Sequence, residues 1–147
     1  MPHSPISVAN QFLERAGADG LSPMQVLKLT YLAQGWMLGL YQRPITWAEV
    51  EAWKYGPVFR GIYSHVAGGG TIRNQLRAYN QERPHFTQIE SHILDEVWRV
   101  YGKKDGLELS AITHQPGSPW DITYRERGQN SVIPQSLMER YYAAKVA

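Results

Sequence analysis

Hydrophobic residues recur at helical spacing along most of this chain. Ala9, Phe12, Leu13 and Ala16 stand at i, i+3, i+4 and i+7, one face of a short amphipathic helix. Gly17 and Gly20 end it. The best-specified element follows. Ser22 is a good N-cap, Pro23 suits the first helical position, and Gln25 completes a capping box, with Leu21 and Val26 as a hydrophobic staple. The helix they open runs to about Leu40. Leu27, Tyr31, Gln34 and Leu38 form one stripe; Leu32, Gly35, Trp36 and Gly39 cover much of the remainder. A helix apolar on most faces belongs at the centre of a fold. Ala33, Gly35 and Gly39 leave room for another helix to approach closely.

A second capping box, Thr46 with Glu49, and a staple of Ile45 and Val50 predict a short helix that delivers Glu51 and Trp53 to a break at Gly56-Pro57. A new helix with Pro57 in its first turn then carries Val58, Ile62, Tyr63 and Val66 as far as Gly68. The polar stretch from Gly68 to about Pro84 reads as a loop with a helical turn around residues 72–78. Thr87 and Glu90 form a third box, opening a stripe of Ile89, Ile93, Leu94, Val97 and Tyr101, with Asp95 and Arg99 at a favourable i,i+4 spacing. Gly102 closes it. Residues 105–114 predict a further helix, broken sharply by Pro116-Gly117-Ser118-Pro119. A last helix from Pro134 carries Leu137, Met138, Tyr141 and Tyr142. Ile122, Tyr124 and Val132 favour strands, so 121–133 is open to a small strand or hairpin. The expectation is a mainly α, single compact helical domain over residues 1–147, with about six or seven helices.

Composition narrows the class. The 147 residues are 43% hydrophobic, enough for one ordinary core and against disorder. There are no cysteines, which removes disulfides, thiolate metal sites and thiol nucleophiles, and suits a reducing cytoplasm. No apolar run approaches the roughly 20 residues of a membrane span, and Met1–Pro5 lacks the parts of a signal peptide. A cytoplasmic protein without membrane contact is expected. A formal charge of +2 with interspersed signs excludes an acidic DNA mimic and argues against a nucleic-acid binder.

Candidate chemistry is sparse. The five histidines, at 3, 65, 85, 92 and 114, include no His-x-His and no helical i,i+4 pair, so no metal site is expected. Ser118 lacks the second glycine of a nucleophile elbow, and although His114 is four residues away nothing names an orienting carboxylate or an oxyanion hole. Glu49 and Glu51 on one helix would project about 200° apart. Gly68-Gly69-Gly70-Thr71 has no P-loop lysine. The chain reads as no enzyme and as needing no cofactor. Arg73, Arg77 and Arg83, with Arg60 before them and Tyr79 as a stacking residue, form the one loop that could meet phosphates; this gives the alternative reading, a small nucleic-acid-binding module. Partner binding fits better, because five Trp and nine Tyr are many for this length and Trp, Tyr and Arg dominate interface hot spots. For each Trp a place in the core is the competing use. Lys54, between two aromatics, must either reach out to solvent or pair with a carboxylate such as Glu51.

Three segments carry a resemblance. Glu51-Ala52-Trp53-Lys54-Tyr55-Gly56-Pro57-Val58 closely resembles the central motif of the Panacea domain, also described as the SocA-like or GepA-like phage-associated domain. Lys28-Leu29 followed by Tyr31-Leu32-Ala33-Gln34-Gly35 resembles its first helix motif, and Thr113-His114 with Gly117-Ser118-Pro119-Trp120 its late motif. The resemblance covers residues 5–142 in the family's order. It implies an antitoxin of a toxin–antitoxin system, which neutralises a protein toxin encoded by a neighbouring gene through direct contact. In the SocA branch it implies a proteolytic adaptor too, which hands the toxin to a cytosolic ATP-dependent protease. The partner-binding candidates it supplies are Lys28, Tyr31, Gln34, Glu51, Trp53, Lys54, Tyr55, His114, Ser118 and Trp120; Gly56, Pro57 and Pro119 look structural.

Overall fold

Helix α2 (Pro23–Tyr41) is the axis on which most of the other elements pack. Its start is the one the sequence specifies: the Ser22 side chain accepts from the Gln25 amide at 3.2 Å while Gln25 Oε1 accepts from the Ser22 amide at 2.8 Å. The computed structural model describes residues 2–77 and 84–146. Within them α1 (Pro5–Ala16) precedes α2, and a hairpin of β1 (Glu51–Trp53) and β2 (Gly56–Val58) follows it. Next come α3 (Arg60–Val66), α4 (Gln88–Tyr101), α5 (Gly106–Thr113), α6 (Pro119–Arg127), β3 (Ser131–Val132) and α7 (Gln135–Val146). The three short strands form an antiparallel sheet in the order β2-β1-β3. One hydrophobic cluster runs from Ile6 to Tyr142, so the described residues share a single core, mainly α as expected. No helix among them is long and apolar enough to cross a membrane.

The close approach expected at Gly35 and Gly39 is made by α7, whose Tyr142 ring packs over Gly35. A Cβ on Gly39 would lie 2.6 Å from Tyr142 Cβ and 2.8 Å from the Ala143 nitrogen. Only glycine lets the two backbones come this near.

Four expectations are corrected. The helix over 46–55 does not form. Gln34 of α2 takes the backbone groups a helix would need: its Oε1 accepts from the Ile45 and Thr46 amides at 2.9 and 3.1 Å, and its Nε2 donates to Thr46 O at 3.1 Å. The Thr46 hydroxyl accepts from Ala48 N, a local turn rather than a capping box. Beyond it Val50 and Ala52 point inward while Glu51 and Trp53 are half-exposed, the period of a strand. Pro57 therefore lies in β2, an edge strand where its missing N–H costs nothing, and not in a helix. Second, Ile122 and Tyr124 lie in helix and not in a strand: Ser118 caps α6 by accepting from Asp121 N, and the Ser-Pro start outweighs their strand preference. The small strand expected within 121–133 is β3, Ser131–Val132. Third, Asp95 pairs not with Arg99 but with Arg15 of α1, at 2.7 Å, and Arg99 turns to Glu96. Fourth, the described part of 72–78 holds no helical turn. Ile72 bridges to Leu21, and Asn10 exchanges two hydrogen bonds with the Leu76 backbone, which keeps the segment extended on α1.

Candidate partner-binding site at the hairpin

The chain joins β1 to β2 through two residues, Lys54 and Tyr55, with Trp53 paired to Gly56. So tight a turn leaves carbonyl oxygens projecting toward the helices beside it, and each needs a donor. Four helical side chains supply them. Trp120 Nε1 of α6 donates to Trp53 O at 2.6 Å, and His114 Nε2, at the end of α5, contacts Lys54 O at 3.3 Å. Ser110 Oγ of α5 donates to Tyr55 O at 3.0 Å, and Lys28 Nζ of α2 donates to Pro57 O at 3.0 Å. The rings then lock together: His114 meets Trp120 edge-on at 4.0 Å, and Trp120 stacks on Tyr124 at 4.8 Å. Gly56, at φ +121°, is fixed twice over, because a Cβ there would also lie 2.9 Å from Lys28 Nζ.

On the outer side, Glu51 accepts from Arg60 (2.8 and 3.1 Å) and from Trp53 Nε1 (3.0 Å), so it is Arg60 and not Lys54 that Glu51 holds. The Arg60 hydrogen bond, helped by Trp53 and opposed by burial, holds the Glu51 carboxyl below the usual range. Arg60 also lies over the Trp53 ring, 5.4 Å from its centroid, and Trp53 meets Tyr63 edge-on at 4.7 Å. Lys54 reaches out over the Tyr55 ring. Tyr55 is 63% exposed and Tyr63 40%.

The interior is unusual in charge. Lys28 is 1% exposed, and burial pushes its ammonium down to about 7. Burial also lowers His114; the contact with Lys54 O opposes this and the charge of Lys28 adds to it. Beside Lys28 opens a cavity of about 300 Å³ with Leu27, Val58, Trp53 and Tyr63 among its walls; Lys28 and Lys54 help to line it, and among the described residues no carboxylate does.

Of the residues singled out from the sequence, Lys28, Glu51, Trp53, Lys54, Tyr55, Gly56, Pro57, His114 and Trp120 meet at this hairpin. Ser118 is buried one turn away, capping α6 and donating to Thr113 O. It makes no hydrogen bond to His114, whose two ring nitrogens face Lys54 O and Ser110 Oγ. Tyr31 and Gln34 lie apart and enclosed, Tyr31 against Tyr142 and Gln34 against residues 45–46, so they hold the core rather than present a surface. Arg73 and Arg77 are exposed on the segment beside α1; Arg83 and Tyr79 fall outside the described residues. The described residues hold no cluster of three or more groups able to bind a metal. Sequence reasoning missed Ser110, which shares a helix face with His114 four residues on; Arg60, grouped there with the arginine loop, instead reaches Glu51 because the hairpin folds back.

A model of the family described as "Antitoxin SocA-like, Panacea domain" matches residues 26–121. The chain belongs to that family. The Panacea match runs from the first turns of α2 into the first turn of α6, and so spans the hairpin and all four side chains that hold it, while α1, β3 and α7 lie outside. Among curated proteins, the chain is 29% identical over 157 residues to Antitoxin SocA of Caulobacter vibrioides (strain NA1000 / CB15N), covering 96% of this chain and 84% of that protein. No solved structure matches it.

Proposed function

We propose that this Panacea-domain chain is an antitoxin that silences a protein toxin by direct contact at the hairpin surface. The observation that carries the reading is the convergence of three separate sequence segments on one turn, whose Lys54 and Tyr55 face solvent while its backbone is held from behind by α2, α5 and α6. A turn held on four carbonyls presents its side chains in one geometry, which lowers the ordering cost of binding. Its outward residues, Trp53, Tyr55, Tyr63 and Arg60, are of the kinds that dominate interface energies. The likeness to an antitoxin supports the same reading. Ser110 and His114, the serine and imidazole nearest to a hydrolytic pair, both hold backbone carbonyls of the hairpin, which favours binding over catalysis.

The test is co-expression with the product of the neighbouring open reading frame, expected to be the toxin. Growth should be restored and the two chains should co-purify. Lys54→Glu should weaken the complex at least tenfold while leaving the melting temperature unchanged, since the side chain is exposed. Failure of the folded, soluble chain to restore growth overturns the reading. Delivery of the toxin to an ATP-dependent protease is the finer form of this proposal: toxin half-life should then lengthen when the protease is deleted, and an unchanged half-life leaves a purely stoichiometric antitoxin.

A further inference from the structure

The cavity behind the hairpin has one chemical bias. Its walls are mostly apolar and aromatic, and the charged groups lining it among the described residues are Lys28 and Lys54. Neither lysine has a carboxylate within salt-bridge distance among the described residues. The acid nearest in sequence, Glu51, is already bound by Arg60 and Trp53. Lys28 carries three N–H donors and places one of them, on Pro57 O. A cavity with low-dielectric walls and two cations concentrates positive potential inside it.

We propose that this cavity reads an acidic–aromatic step in the partner: one aromatic side chain fills it, and the adjoining carboxylate pairs with Lys54 at the rim, with the charge of Lys28 behind. This rests on the antitoxin reading above and names the chemistry of the toxin segment that docks. A cavity of about 300 Å³ is large enough for one aromatic side chain. The edge-on Trp53–Tyr63 pair gives such a ring a face and an edge to pack on. Charge supplies the selectivity, since a basic or neutral segment leaves two lysines facing an apolar group without a counter-ion. Burial pulls Lys28 toward neutrality and so opposes this, and an incoming carboxylate, which favours its charged form, offsets that pull.

The experiment needs no toxin. The full chain, labelled with ¹⁵N, is titrated with 3-phenylpropionate, and separately with 3-phenylpropan-1-ol and 3-phenylpropylamine. The acid should move the Trp53 indole N–H and the Lys54 and Tyr55 amides with a midpoint of about 1 mM, as expected for a ligand this small. The alcohol should bind about fivefold more weakly, and the amine weaker still. In Lys54→Ala the preference for the acid over the alcohol should shrink while the alcohol binds as before; in Lys28→Met it should shrink further. Equal midpoints for all three compounds, or no shifts by about 10 mM, overturn the proposal. Acid-selective binding by a chain that fails to restore growth would keep the cavity and discard the antitoxin. Growth restored by a chain whose cavity ignores charge would do the reverse.

Discussion

Two regions anchored on the same helix are held by opposite means. Where α7 crosses α2, the Tyr142 ring lies on Gly35 and its backbone on Gly39, and the contact is close-packed. Where the hairpin meets α2, α5 and α6, side chains are aimed at carbonyls and a lysine is buried with no carboxylate at salt-bridge distance among the described residues. The first arrangement yields stability directly, at roughly 25 cal/mol for each Å² of apolar surface covered. The second yields little, because each hydrogen bond nets about 1 kcal/mol and a buried ammonium costs more than that. What it does yield is shape. The α2–α7 contact keeps the chain folded, and the hairpin spends part of that stability on a fixed surface.

Substitutions should separate the two. Tyr142→Ala removes the ring from between the helices and should cost about 3–5 kcal/mol in urea denaturation, the largest loss expected here. A loss below 1 kcal/mol would mean that α7 is dispensable and the contrast is false. Lys28 gives the next effect, and its sign is opposite to a normal contact. Its folded pKa of about 7 lies below the unfolded 10.5, so between those values the unfolded chain holds a proton the folded chain has released. Stability should therefore rise with pH, by about 2 kcal/mol between pH 7 and 9, and stay flat in this term below pH 7. Lys28→Met should lose that slope and be more stable at pH 7; an unchanged slope would assign it to another group. Gly39→Ala should cost about 1–2 kcal/mol, the clash with α7 outweighing the gain in helix propensity. Trp120→Phe strands the Trp53 carbonyl and should cost about 1 kcal/mol, yet weaken toxin binding by more than that, because the turn loses its fixed geometry. Lys54→Glu closes the series with no stability change at all.

The same division decides what could be read from sequence. The α2–α7 contact was legible, since Ser22-Pro23-x-Gln25 marks the helix and Gly35 and Gly39 mark the face another helix can approach. Helix spacing and caps are local signals. The hairpin was not legible as a hairpin, although every residue that makes it was picked out. Its strands are three residues long, too short to show a period, and Thr46 with Glu49 satisfies the pattern of a capping box. What defeats that box is Gln34, eleven and twelve residues earlier, whose amide takes the backbone groups in question. Ile122 and Tyr124 misled for the complementary reason: single-residue strand preference was weighed above a Ser118-Pro119 cap. Family resemblance names residues most of which the fold brings to the hairpin, without saying how they divide. Lys28, His114 and Trp120 hold the turn, Tyr31 and Gln34 belong to the core, and Lys54 and Tyr55 are left facing outward.

The seating of Tyr142 on Gly39 also sets a timetable for synthesis. The groove on α2 is translated early and its cover roughly 100 residues later, an interval of about 5–20 s at 5–20 residues per second. Throughout that interval the face of the central helix that α7 covers stays open. A message cut short before α7 would yield chains with that face still open, fit for quality-control proteases rather than for a toxin, so supply of the working antitoxin would follow the number of finished transcripts and not the number started.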